Sequence, residues 1–332
     1  MIEIMRTMVS YLGSDHKHTA LSGGDHLTCE REQGAKRHVQ CSNTPGGRIE
    51  QLEPCIDGWH CVMNFMILIW QKLHKDSQED YGTLSSLFAR IGCSKAKKPK
   101  NDMHTCQAAF LKVFKGHIVT AGCKEFDIEG HKEVNQSLLS SVAQTVVKEF
   151  TVIPEALLGE SVIDSGDKVH GYARVLCHFA SLVLLFVDAW KEGDGERVIR
   201  LWKILMLHFH AEKKTKYALE ALRLQFQLAT LQPYLSHQLT WGRFINTHGG
   251  LGRNIPCDLH NEHINKLYKN IISNMGANFT KTASTWAARS VSSLHRISMA
   301  FDSPWPLTSR LTSTVKQQLT ARGQMRRTSR QL

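Results

Sequence analysis

Apolar residues recur every three to four positions through most of this chain, the period of a helix buried along one face. That spacing predicts helices over Met103 to Cys123, Leu138 to Phe150, Lys168 to Trp190, Glu196 to His210 and Thr215 to Leu231. The last two read as an αα-hairpin, with Gly193 and Gly195 closing the turn before it. If their stripes face each other, Trp202, Leu205, Leu222 and Phe226 are the residues that go inside. The stretch CVMNFMILIWQKLHK is apolar nearly all round, so it reads as a buried helix. Strand signals are few. They are confined to a brief apolar piece ending at Gly23-Gly24-Asp25 and to a segment within Arg48 to Ile56. The expected class is α+β, predominantly α-helical. The same pattern divides the chain into a ragged start (1–18), an α/β part (19–130), an all-helical block (131–245), a closing helical part (246–302) and a tail (303–332).

Candidate chemistry gathers at three places. Asp25 ends the first strand at a glycine turn, a common way to present an acid at a sheet edge; a plain turn in which it bonds the local backbone has at least equal claim. Asp57-Gly58-Trp59-His60 leads from the second strand into the buried helix, with His60 either a polar anchor or a site residue. The window NIPCDLHNEHINKLYKN, Asn254 to Asn270, offers Asp258 as an N-cap for a helix starting near Leu259. Glu262 and Lys266 follow on that helix one turn apart. Glu262 is either solvated or aimed into a site, and the window does not choose. Upstream, THGGLGR holds three glycines without a Walker lysine-serine pair, so it reads as a connector. SKAKKPKND reads as a solvated lysine-rich loop.

Charge adds one point. The chain of 332 residues carries a net +11, and six of those charges (Arg310, Lys316, Arg322, Arg326, Arg327, Arg330) lie in the acid-free tail after Ser303. The rest is only mildly basic, so any attraction to a polyanion is expected to concentrate in that tail. Nine cysteines without a CxxC pair read as reduced intracellular thiols. The N-terminus lacks a clean apolar signal segment, and the strongest apolar run, Val175 to Val187, is short for a bilayer. No membrane is expected.

Together, GGDHLTCEREQGAKR, DGWHCVMNFMILIWQKL, EGDGERVIRLWKILM and WGRFINTHGGLGRNIPCDLHNEHINK resemble a family of animal and fungal proteins labelled only as a domain of unknown function. The resemblance runs from about Gly23 to Phe301 with the motifs in order. That order is also similar to transposases with an RNase H-like core and a C/DxxH motif. In those, a catalytic aspartate ends a strand, the C/DxxH motif opens the next helix, and a helical insertion precedes a catalytic glutamate. The resemblance implies that Asp25 is that aspartate, that Asp57 and His60 are the DxxH, and that Glu262 is the glutamate. Asp25, His60 and Glu262 should then converge, with Asp25 and Glu262 as ligands for Mg²⁺.

The resemblance also implies a partner aspartate on an earlier strand, and Asp15 has neither the strand nor the spacing for it. The expectation is therefore a partial, N-terminally truncated RNase H-like sheet with a large all-α insertion, catalytically inactive. Weak DNA binding would come through the tail, and the setting would be intracellular, with the nucleus a suitable place. A helical module that binds protein partners through the insertion is the alternative. A third reading is a zinc site from Cys257, His260 and His263 with Cys55 and His60; the three-residue spacing disfavours it, because it spreads the ligands around a helix.

Overall fold

The computed structural model describes residues 1–12, 19–75, 81–125, 136–151, 168–276 and 279–302. The chain divides into two compact units, one of residues 1–246 with 250–260, the other of residues 247–249 with 261–332. Asp15 and the six basic residues of the tail lie outside the described residues.

In the first unit, helix α1 (Ile2–Leu12) is followed by strand β1 (Ala20–Gly24), α2 (His26–His38), β2 (Leu52–Ile56) and α3 (Trp59–Leu73). Then come α4 (Leu84–Arg90), α5 (Met103–Glu125) and α6 (Gln136–Val146), which runs on into a π-helical turn (Val147–Thr151). The helical block continues with α7 (Lys168–Glu192), α8 (Gly195–Ala211), α9 (Thr215–Thr230) and α10 (Pro233–Trp241). Two short strands, β3 (Phe244–Ile245) and β4 (Ile255–Pro256), lead into α11 (Cys257–Met275) and α12 (Lys281–Asp302). The protein is thus mostly helical with small sheets.

Local sequence accounts for the helix starts. Asp25, Thr83, Asp102 and Asp194 each accept a backbone N–H from three residues on, satisfying a first-turn donor that has no partner inside its own helix. β1 and β2 run parallel, in register from Ala20 opposite Leu52 to Gly24 opposite Ile56. Such a pair needs a crossover, which α2 supplies. β3 and β4 form an antiparallel clasp, Phe244 opposite Pro256.

The core gathers around α3. Cys61, Val62, Phe65, Met66 and Ile69 are fully buried there, joined by Phe110 from α5, Phe186 from α7 and Trp202, Leu205 and Phe209 from α8. Burying each large apolar side chain contributes about 1.5–3 kcal/mol, so this layer dominates the apolar stabilisation. A satellite cluster of Met5, Ala35, Val39, Ile49 and Leu52 fixes α1 and α2 beside the sheet. α7 is longer than its apolar run implied. Val169–Glu192 is long and apolar enough to cross a bilayer by length and composition, yet half of its most apolar window is buried inside the protein.

One inward-facing expectation fails. Trp202 and Leu205 are fully buried, but Leu222 is 55% and Phe226 66% exposed. α9 buries Ala221 and Leu224 in the core instead, and turns Glu220 and Gln227 toward α2 and β2. The close approach around this hairpin also depends on Gly195, where a Cβ would lie 2.1 Å from the Thr240 carbonyl oxygen.

The second unit comprises the rest of α11 with α12. Tyr268 and Ser284 share a 2.7 Å hydrogen bond between their hydroxyls, and Ala287 and Val291 are buried.

Candidate functional site: a carboxylate cluster at the strand ends

Because β1 and β2 are parallel and in register, the residues that follow them, Asp25 and Asp57, emerge side by side at the same sheet end. The Asp57 amide donates to the Gly24 carbonyl at 3.0 Å and holds this junction closed. The fit is tight. A Cβ at Gly23 would sit 2.6 Å from Asp57 Oδ2, so the position accepts only glycine without rearrangement.

Asp25 begins α2. Its Oδ1 accepts the Thr28 amide at 2.8 Å. Burial pushes its carboxyl up, but hydrogen bonds from the Thr28 hydroxyl and amide, with His60 and His26 nearby, outweigh that and hold it below the usual range. Asp57 behaves oppositely. It is almost wholly buried, and burial first, then the neighbouring Asp258 carboxylate, lifts it to about 7 against the smaller pull of Arg243 and His60.

Asp258 reaches this cluster from α11, some 200 residues away. Rather than capping a helix from Leu259, it sits inside the first turn of α11 and turns toward α3. Its oxygens accept the Trp59 amide (3.2 Å), the His60 amide (3.1 Å) and His60 Nδ1 (3.2 Å). α3 has no side-chain cap of its own, since Gly58 precedes it. Asp258 is therefore a cap supplied from elsewhere in the chain.

Arg243 lies beneath, 6% exposed, with Nη1 on the Ile56 carbonyl (2.7 Å) and Nε on the Leu239 carbonyl (2.5 Å). Farther out, Glu220 of α9 accepts Arg223 Nη1 at 2.7 and 2.8 Å and meets His26 Nδ1 at 3.0 Å. Gln227 Nε2 donates to the Pro54 carbonyl and to Glu53, and Ser22 donates to buried Glu32. Polar side chains of the helical block thus tie it to the two-stranded layer.

Of the residues expected at a site, Asp25 and His60 come together here, joined by Asp57. Glu262 lies on α11 four residues beyond Asp258, half-buried, in the second unit. The α11 carboxylate that meets His60 is Asp258. Among the described residues no group of three or more His, Cys, Asp or Glu side chains is arranged to hold a metal ion. Asp25 and Asp258 are already engaged by backbone amides, so the donors do not fit a pair of hard divalent cations, which take near-ideal oxygen shells. The zinc grouping does not form either. The Cys257 thiol donates to the Gly242 carbonyl and is pushed up to about 11 by burial, and burial lifts Cys55 to about 12.

Arg243 and Glu220 went unrecognised in the sequence. Glu220 lies one turn before Leu224 and two before Gln227, and these share its buried side of α9.

The class is therefore a predominantly helical protein whose small parallel sheet carries a buried, internally bonded carboxylate cluster at one end. The chain matches DUF6589, a family of unknown function, over residues 1–310, and it belongs to that family. No curated protein and no solved structure matches it.

Proposed function

We propose that this chain is a transposase-derived protein with a partial RNase H-like core, that it does not cut nucleic acid, and that it retains weak DNA binding through its basic tail. The observation that carries the reading is the neighbouring exit of Asp25 and Asp57 from parallel strands, with a long helical block before α11 returns to the same end. That is the chain order in which such cores assemble their acids. The inactive part of the reading draws support from how those acids are used. Asp25 and Asp258 cap α2 and α3, and Asp57 holds its proton up to about neutrality. Mg²⁺-dependent phosphodiester cleavage needs ionised, free carboxylates around two positioned cations.

The test incubates the full chain with labelled duplex and single-stranded DNA in Mg²⁺ or Mn²⁺. The expected result is no cleavage, with binding that weakens steeply as salt rises, because released counterions drive it, and that is lost when residues 303–332 are deleted. Cleavage abolished by Asp25→Asn or Glu262→Gln would overturn the inactive reading. Salt-resistant binding after the deletion would move the contact into the folded part.

A further inference from the structure

A groove of about 480 Å³ opens between α2 and α9 over the end of β2. Its apolar surface comes from Pro54, Phe226 and Leu231, and its cations, Lys36, Arg37 and Arg223, stand on both walls. The exposed face of α9 extends it: Leu219, Leu222 and Phe226, at spacings of three and four, are each more than half exposed. A helix places such residues in one stripe, here roughly 10 Å long at 1.5 Å rise per residue. Three large apolar residues lined up toward solvent are unlike the scattered ones that any surface carries.

We infer that this groove and stripe form a docking site for an acidic amphipathic helix of another protein. Charge complementarity decides the occupant. The only acid on α9, Glu220, is buried and already held by Arg223 and His26, so none lies on the stripe. Glu53 in the groove is paired with Lys36 and Gln227. Arg37 is exposed and has no ion-pair partner among the described residues, and Arg223 gives only Nη1 to Glu220. An incoming helix would set apolar residues over Leu222 and Phe226 and acids beside Arg37 and Arg223, a recurring way for a groove to read a helix. A second copy of this chain would place like charges opposite each other, which disfavours self-association. Leu219 and Leu222 offer no face on which a base could stack and leave Phe226 as the one aromatic of the stripe, short of the successive aromatics on which a strand of bases stacks. The inference does not depend on the reading of the carboxylate cluster.

The test uses fluorescein-labelled synthetic helix-forming peptides with leucines at i, i+4 and i+7, flanked by glutamates in one and lysines in the other. Anisotropy with the full chain should show saturable binding of the acidic peptide only. Leu222→Ser with Phe226→Ser should weaken it about tenfold or more without lowering the melting temperature. Arg37→Glu with Arg223→Glu should weaken the acidic peptide and admit the basic one, a charge reversal that general stickiness would not produce. The inference is overturned by absent binding or by binding unchanged in the serine variant. It is equally overturned by a chain that dimerises until the serines are introduced, or by oligo(dT) binding that those serines abolish.

Discussion

Asp258 completes the first turn of a helix that begins at residue 59: its carboxylate takes the His60 amide at 3.1 Å and the His60 ring at 3.2 Å. One side chain thereby closes α3 and ties the first residues of α11 to it. Removing it takes one acceptor from two amides and from the His60 ring. Asp258→Ala should cost about 2–4 kcal/mol, combining a lost cap with donors that lose an acceptor. Urea unfolding reads the cost, and a change under about 0.5 kcal/mol, the range of ordinary surface sites, would show that the contact stabilises nothing.

Asp57 gives a pH dependence of definite sign. Its folded value, about 7, lies above its ordinary 3.8, so between those values the folded state binds the proton more tightly. Its contribution is fully present below about pH 3.8 and is lost as pH rises through 7. Asp57→Asn keeps the shape without the charge. It should melt higher than the parent at pH 8, with the gap narrower at pH 5 and closing only toward pH 3.8; an equal gap at pH 8 and pH 5 would remove the buried acid from the explanation.

The histidine pair between α7 and α8 works in the other direction. His178 Nε2 and His208 Nε2 lie 3.1 Å apart, and His178 Nδ1 meets the Thr151 carbonyl at 2.7 Å. With Nδ1–H donating there, the pair closes when His208 donates to His178, both rings neutral. Burial lowers both, and with His178 and Lys72 nearby takes His208 to about 4. The unfolded chain therefore binds more protons between pH 6.5 and 4, and stability should decline as pH falls through that window. His208→Gln should flatten this decline in urea titrations; an unaltered slope would assign it to other groups.

Trp202 and Phe226 should respond in opposite ways to truncation. Trp202→Ala opens a cavity in the core and should cost about 3–5 kcal/mol. Phe226→Ala, at a position 66% exposed, should stay within about 0.5 kcal/mol. Melting curves of the two variants decide, and a large loss at Phe226 would return it to the core.

Gly195→Ala should be the more harmful of the two glycine substitutions tied to close approach. The added methyl would meet the Thr240 backbone oxygen at 2.1 Å, whereas at Gly23 it meets the Asp57 side chain at 2.6 Å. Overpacking costs about 1–3 kcal/mol, and the rigid obstacle at Gly195 puts it at or beyond the top of that range. Equal losses would mean that α10 shifts freely.

Much of this architecture was legible. Helix limits such as Thr215 to Leu231 fell within a residue or so of α9, because periodicity and end signals are local. The same locality explains what was missed. The inner face of α9 is set by the burial of Ala221 and Leu224 in the core and by polar anchors for α2 and β2, not by which residues are most apolar. Asp258 reads as the cap of its own helix, since nothing near it in sequence reveals that the first turn of α3 lacks an acceptor. Asp25 and His60 are singled out by motif order, whereas Arg243 lies in WGRFIN, where its burial leaves no mark.

The Asp258 contact also constrains how this protein is made. Asp258 follows His60 by 198 positions, which a ribosome adding about 5–20 residues per second crosses in roughly 10–40 s. Throughout that interval α3 has emerged without its cap, while the helices that cover it, α5, α7 and α8, arrive one after another. The apolar face of α3 is therefore covered stepwise as the chain is made, and its first turn is capped last, once α11 has left the exit tunnel.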